Sequence, residues 1–342
     1  KINNRKLRLV KNAWWLIMAW LSVSVTFGQQ SGTTSYSFLK LPQNARLAAL
    51  GGVNVSLTDT DVNFFFSNPA LAGDSLIGWA SAGYMFFVAD VGQASFAGSF
   101  RRGRNFVGSV GVQHLNYGEL EGTDATGLST GTFRSGETAL LFSMSHRVSN
   151  FRVGATSKFL FSNLAGFRAA AFTVDLGGLF VHPERDFTVG LVIKNFGFHF
   201  SDYSETNQPA LPFDVQLGAT FKPEHIPLRF SFTANNLVRP GDVYGEGEVR
   251  STLNKIFSHL TIGTELLIHR NINVLVGYNS LRQQELKAQQ GGGGGGFSVG
   301  LAAKIKSIDV VVSQSRYSVG NANYSVTLAA NLQEMIFKKR VL

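Results

Sequence analysis

The sequence predicts an all-β protein: a transmembrane antiparallel β-barrel of about 14 strands with a small N-terminal helical hatch in the lumen. Three observations carry this reading. From about residue 77 onward apolar and polar residues alternate along one segment after another, the connections between segments alternate between tight and wide, and charge is scarce. Charged residues make up 15% of the chain and apolar residues 44%, against about 25% charged in an ordinary soluble domain. That apolar content excludes disorder. Cysteine is absent, which removes disulfides, thiolate metal sites and cysteine nucleophiles together.

The elements follow in chain order. Residues 1–28 read as a secretory signal peptide: a basic start, an apolar run from Ala13 to Val25, and small residues at Thr26 and Gly28 ahead of Gln29. The apolar run is too short for a membrane-spanning helix, which needs about twenty residues. Lys1, Arg5, Lys6, Arg8 and Lys11 all lie in this leader and account for more than half of the formal charge of +9. The modest basic balance of the remaining chain gives no support to a nucleic-acid partner.

Residues 29–76 do not alternate for long and form the hatch, or plug. Pro42 to Leu50 has helical character and stops at Gly51 and Gly52, where glycine accepts a left-handed cap. Asn68, Pro69 and Ala70 give an asparagine cap followed by proline at the first helical position. An apolar plug of this size fits inside the barrel.

Residues 77–342 form the outer-membrane barrel. In the clearest strands Phe172, Val174 and Leu176 alternate with Thr173 and Asp175, Val189 and Leu191 with Thr188 and Gly190, and Val215 and Leu217 with Gln216 and Gly218. Arginine at the lipid-facing Leu191 or Val215 is expected to cost about 2 to 4 kcal/mol. At inward Thr188 or Gln216 it is expected to be better tolerated. Tight turns at Arg102-Gly103, Val148 to Asn150, Pro183-Glu184, Pro223 to His225, Arg270 and Lys306 alternate with wide loops at 118–134, 199–210, 238–256 and 281–295. This is the asymmetry of short periplasmic turns and longer extracellular loops, and it places the protein in the outer membrane of a Gram-negative bacterium, with membrane lipid around it and loops at the cell surface. Phe86, Phe100, Phe106, Phe196, Phe198 and Phe200 near strand ends read as interfacial girdles.

The inward face carries Lys158, Asp175, Lys194, Asp214, Arg229, Glu265, Lys304 and Asp309, four of each sign. Balanced charge reads as a paired network, whereas a selective pore would concentrate one sign at a constriction. No catalytic residue, cofactor or metal site emerges. Gly127-Leu128-Ser129-Thr130-Gly131 lacks the strand-to-helix turn that a nucleophile elbow needs. Asp59-Thr60-Asp61 opens like a calcium loop, but Phe64 stands at the required glycine and Ala70 at the bidentate glutamate. Among the wide loops, those at 118–134 and 238–256 are the candidate partner surface, with Tyr117, Tyr244 and Arg250 as candidate contacts because tyrosine and arginine are enriched at binding hot spots.

Several runs carry a resemblance. Leu50-Gly51-Gly52-Val53, Asp59 or Asp61, and Asn68-Pro69-Ala70-Leu71 resemble the hatch of the fourteen-stranded long-chain fatty-acid transporter barrels. Ser37 to Pro42, Asn44 to Gly52, Gln113 to Gly118 and Leu211-Pro212-Phe213 resemble the type IX protein secretion branch of that superfamily, the PorV and PorQ families, and PorQ most closely. The likeness covers the mature chain; the glycine run 291–296 departs from it. It implies a noncatalytic barrel that anchors a surface attachment complex: PorZ and, through it, the sortase PorU and the shuttle PorV, linking secreted cargo to anionic lipopolysaccharide. The alternative it leaves open is an outer-membrane transporter for hydrophobic small molecules such as long-chain fatty acids.

Overall fold

The computed structural model describes residues 34–203, 209–238, 257–284, 295–316 and 322–338. Residues 1–28, read above as a leader, most of the loop at 238–256 with Tyr244 and Arg250, and most of the glycine run lie outside the described residues. Fourteen antiparallel strands form a closed barrel among them: β1 (Trp79–Phe86), β2 (Gly92–Arg101), β3 (Phe106–Thr123), β4 (Ser129–Val148), β5 (Phe151–Leu164), β6 (Phe167–Val181), β7 (Phe187–Ser201), β8 (Asp214–Phe221), β9 (Leu228–Ala234), β10 (Leu260–His269), β11 (Ile272–Asn279), β12 (Phe297–Ile305), β13 (Ile308–Ser315) and β14 (Asn323–Asn331). Each strand pairs with its neighbours in sequence, and β1 pairs with β14 from Trp79↔Asn331 to Phe86↔Tyr324. Closure leaves no open edge around the ring, the requirement for a sheet in lipid. No described helix is long and apolar enough to cross a membrane.

The face assignment follows the alternation. Leu176, Leu191 and Leu217 point outward at 51%, 48% and 47% exposure, while Thr173, Asp175, Thr188 and Gln216 are buried inside. In β7 the alternation shifts at Lys194 and Asn195, both buried, where Asn195 takes φ 57° and the pairing with β6 slips. Such a bulge re-aims every later side chain, which is why Ile193 and then Phe196, Phe198 and Phe200 all face out.

Two expectations need correction. The wide loop at 118–134 is for the most part not a loop: β3 and β4 continue through it as a hairpin paired from Glu119↔Arg134 to Thr123↔Ser129, closed by a turn over Asp124 to Leu128. Its Gly- and Thr-rich sequence hides the strands because bulges at Tyr117-Gly118 and at Thr130 break the period of two. The second correction concerns the inward positions. Thr188 donates to the Ser56 carbonyl at 2.6 Å, so an arginine there meets the hatch and not an open lumen.

Among the described residues the strands are uneven in length. Strands β3 to β7 run 14 to 20 residues, whereas β8 to β14 run 7 to 10.

Candidate functional site

The lumen is occupied by the chain's own residues 34–78. Asn44 caps the short helix α1 (Ala45–Ala49), its side chain accepting from the Leu47 N–H at 2.6 Å, and the helix stops where Gly51 and Gly52 take φ 92° and 87°. The Gly52 N–H then closes on the Leu47 carbonyl at 2.8 Å, a glycine C-cap. Asn68 caps the 3-10 turn Pro69–Leu71 by accepting from the Ala70 N–H at 2.9 Å. Its amide also donates to the Val55 carbonyl at 2.9 Å, which ties the two halves of the hatch together.

Most of the wall is bonded to this plug. Ser298 on β12 donates to the Ala49 carbonyl at 2.8 Å and Asn279 on β11 to that of Gly51 at 2.9 Å; Thr327 on β14 accepts from the Ala45 N–H at 2.9 Å. Across the lumen Gln93 and Ser95 on β2 donate to the Pro42 and Gln43 carbonyls, Gln113 on β3 to that of Phe38, Arg152 on β5 to those of Ala70 and Leu71, and Lys194 on β7 to that of Phe66. Small inward residues let the plug approach. A Cβ at Gly277 would lie 2.2 Å from the Gly51 nitrogen. Serine, threonine and glutamine on the inner face, which read from sequence as generic lumen polarity, are the partners of an irregular backbone that would otherwise be buried unsatisfied.

At the short-turn end the plug is clamped by charge. Arg46 donates from Nε to Glu265 Oε1 at 2.8 Å and from Nη2 to Asp59 Oδ2 at 2.5 Å; Arg229 reaches the same Asp59 oxygen at 2.8 Å and Glu265 Oε2 at 3.1 Å. The group holds two cations and two anions. Burial acts to raise the Asp59 carboxyl, but Arg46 and Arg229 outweigh it and hold the group well below the usual carboxylate range. Asp61 goes the other way: burial raises it against the pull of Arg46 and the hydrogen bonds from Asn63. Arg46 escapes sequence reading because it sits among alanines and leucines and meets Glu265 219 positions away. Below this clamp lies a cavity of about 700 Å³ lined by Arg46, Asp59, Arg229, His269, Lys304 and Asp309 among others. Elsewhere in the wall Lys158 pairs with Asp175 at 2.6 Å. Of the inward charges read from the sequence, Arg229 pairs with Glu265 at 3.1 Å and Lys304 with Asp309 at 3.9 Å, whereas Lys194 donates to the Phe66 carbonyl and Asp214 accepts from Gln216.

At the wide-loop end the filling is apolar. Tyr36, Phe38 and Leu39 are buried against Leu115, Leu160 and Ala171 of the wall, with Tyr203 and Leu211 packed on them. Tyr117 turns into this cluster, its hydroxyl donating to Glu137 Oε2 at 2.6 Å. Beyond it the β3–β4 hairpin leaves its neighbours: β2 last pairs β3 at Asn116 and β5 last pairs β4 at Gly136, while the hairpin continues to its turn, with Leu120 40% and Leu128 69% exposed. No cluster of three or more potential metal ligands occurs among the described residues.

No protein-family model matches the chain, and neither does any curated protein. Solved structures do. The toluene transporter TbuX of Ralstonia pickettii superposes with a TM-score of 0.51 at 14% identity, covering 85% of this chain and 98% of that one. A mutant of the monoaromatic hydrocarbon channel TodX superposes at 0.52 with 11% identity, covering 85% and 99%. The likeness is one of fold. This chain shares the closed antiparallel barrel fold of those two proteins.

Proposed function

We propose that the protein is a noncatalytic outer-membrane anchor of type IX protein secretion, of the PorQ kind, that holds PorZ and through it PorU and PorV where cargo is joined to anionic lipopolysaccharide. The observation that carries this reading is the filled lumen. A plug bonded to strands on every side, clamped by Arg46 and Arg229 at one end and sealed by Tyr36 and Phe38 at the other, makes a stiff body from which the β3–β4 hairpin projects. An anchor needs rigidity and a raised contact surface, and the bonded plug and the hairpin supply the two. The sequence runs that resemble PorQ give the partner its name.

The test replaces Glu119–Arg134 by a Gly-Ser turn and follows barrel assembly by heat-dependent gel migration. PorZ and cargo lost from the surface with the barrel intact support the anchor. Retention of both overturns the hairpin as contact.

The second reading is a transporter for hydrophobic small molecules such as long-chain fatty acids. The shared fold with a toluene transporter and a monoaromatic hydrocarbon channel favours it. Uptake of a labelled fatty acid or of toluene by cells expressing the protein, abolished by deleting it, would support that reading over the anchor.

A further inference from the structure

At the wide-loop end one carboxylate stands without a counter-charge. Glu137 on β4 is 3% exposed, with Leu115 opposite it on β3 and Ala139 next on the same inward face. Two hydroxyls donate to it: Tyr117 at 2.6 Å, and Ser162, its cross-strand partner on β5. Hydroxyls bring no charge. No ion pair among the described residues includes Glu137, and a carboxylate taken out of water is costly unless a cation meets it.

A second, independent observation points to the same spot. Tyr36 of the hatch is 2% exposed, and its hydroxyl has no hydrogen-bond partner among the described residues. Burial, and then the neighbouring Tyr203, Glu137 and Asp202, hold this phenol well above its usual range, so it faces the carboxylates un-ionised. A buried hydroxyl left unpaired costs free energy. His199, its ring 5.9 Å from that of Tyr36, turns Nδ1 to Asp202 at 2.9 Å and leaves Nε2 without a partner. Tyr203 completes the group by donating to Ser162 at 2.5 Å. Tyr117 and Tyr203 are only half-buried, which leaves the group approachable from the mouth.

What the group lacks is one positive charge that also carries several donors. A primary ammonium supplies both, with three N–H bonds. One suits Glu137, and the others suit the Tyr36 oxygen and the Nε2 of a neutral His199. The tyrosine rings favour a cation beside them. A metal ion fits less well, because no cluster of three or more potential metal ligands occurs among the described residues.

We propose that Glu137, Tyr36 and His199 form a binding site for a primary ammonium group, carried either by a small free amine or by a lysine side chain of a protein at the barrel mouth. The site rests on the seated plug, which brings Tyr36 to Glu137, and on neither functional reading above.

The assembled barrel in nonionic micelles is titrated calorimetrically with n-butylammonium chloride, with 1-butanol as the uncharged comparison and Nα-acetyl-lysine amide as the protein-like one. Butylammonium should bind about tenfold or more tightly than 1-butanol. Glu137→Gln should weaken it by about tenfold or more, and Tyr36→Phe several-fold, in barrels whose assembly heat-dependent gel migration confirms. Saturating butylammonium should also raise the urea midpoint of the native protein and leave that of Glu137→Gln unmoved. Tighter binding of the lysine amide than of butylammonium assigns the site to a docked protein, and the reverse to a free amine. Binding of butylammonium no better than that of 1-butanol overturns the proposal, and this arm decides even if Glu137→Gln fails to assemble. Binding indifferent to Glu137→Gln overturns it equally.

Discussion

Arg46→Met tests the clamp. In the native network Arg46 serves Glu265, 1% exposed, and Asp59, 22% exposed, while Arg229 reaches the same Asp59 oxygen and the other oxygen of Glu265. After the substitution one guanidinium faces two carboxylates, and Glu265 has no solvent to turn to. Removing one partner from a buried ion pair costs about 3 to 5 kcal/mol because the survivor stays buried and uncompensated. Retention of Arg229 at 3.1 Å from Glu265 puts the expected loss at the lower edge, about 3 kcal/mol. The arginine also lies over the Phe64 ring at 5.6 Å, a contact that methionine partly replaces. Combining Arg46→Met with Glu265→Gln leaves Asp59 and Arg229 as a balanced pair, and the double variant should recover at least about 1 kcal/mol of the single loss, a coupling typical of groups in one network. Urea unfolding in vesicles of a chain that starts at Gln29 measures both, with Trp79, the one tryptophan beyond residue 20, as the fluorescent reporter. A single loss under about 1 kcal/mol, or a double loss equal to the sum of the two singles, would refute the network as the clamp.

Three further outcomes are expected. Asp59 is depressed when folded, so its stabilisation is complete above the unfolded value near pH 4 and is lost as pH falls toward the folded one. Asp61 is raised, so its favourable contribution is present at low pH and lost as pH rises through its folded value; Asp61→Asn, which keeps the cap on Asn63, should stabilise the protein at pH 7 and flatten the unfolding midpoint against pH on the acid side. Gly277→Ala should leave a closed barrel but dislodge α1, since its Cβ would meet the Gly51 backbone, and limited proteolysis should then cut between residues 42 and 61 where the native protein resists. Leu191→Arg should cost about 2 to 4 kcal/mol on refolding into bilayers, and Thr188→Arg should now cost at least as much through the hatch; a tolerated Thr188→Arg would show the plug to be loosely seated.

Much of the barrel was legible because the lipid on one side and a polar plug on the other enforce a period of two. The tight turns were legible from Gly, Pro and Asn. The hatch ends at Gly51 and Asn68 were legible because caps are local chemistry. What escaped was nonlocal or out of phase. The 118–134 hairpin is polar on much of both faces and carries two bulges, so nothing in its pattern marks strands. The clamp joins residues 46, 59, 229 and 265, whose partnership depends on barrel closure alone.

The uneven wall has a geometric consequence for whatever the barrel holds. Among the described residues β3 to β7 are longer than β8 to β14, and the raised hairpin, a continuation of β3 and β4, sits over the rim and not over the axis of the cylinder. A body gripped there is carried eccentrically. Its weight falls to one flank of the barrel, and any pull on it acts as a torque that tilts the cylinder in the lipid. Rotation of the barrel about its own axis would swing any such body around a circle, so the azimuth of the hairpin, and not only its height, sets which neighbour in the membrane that body can reach.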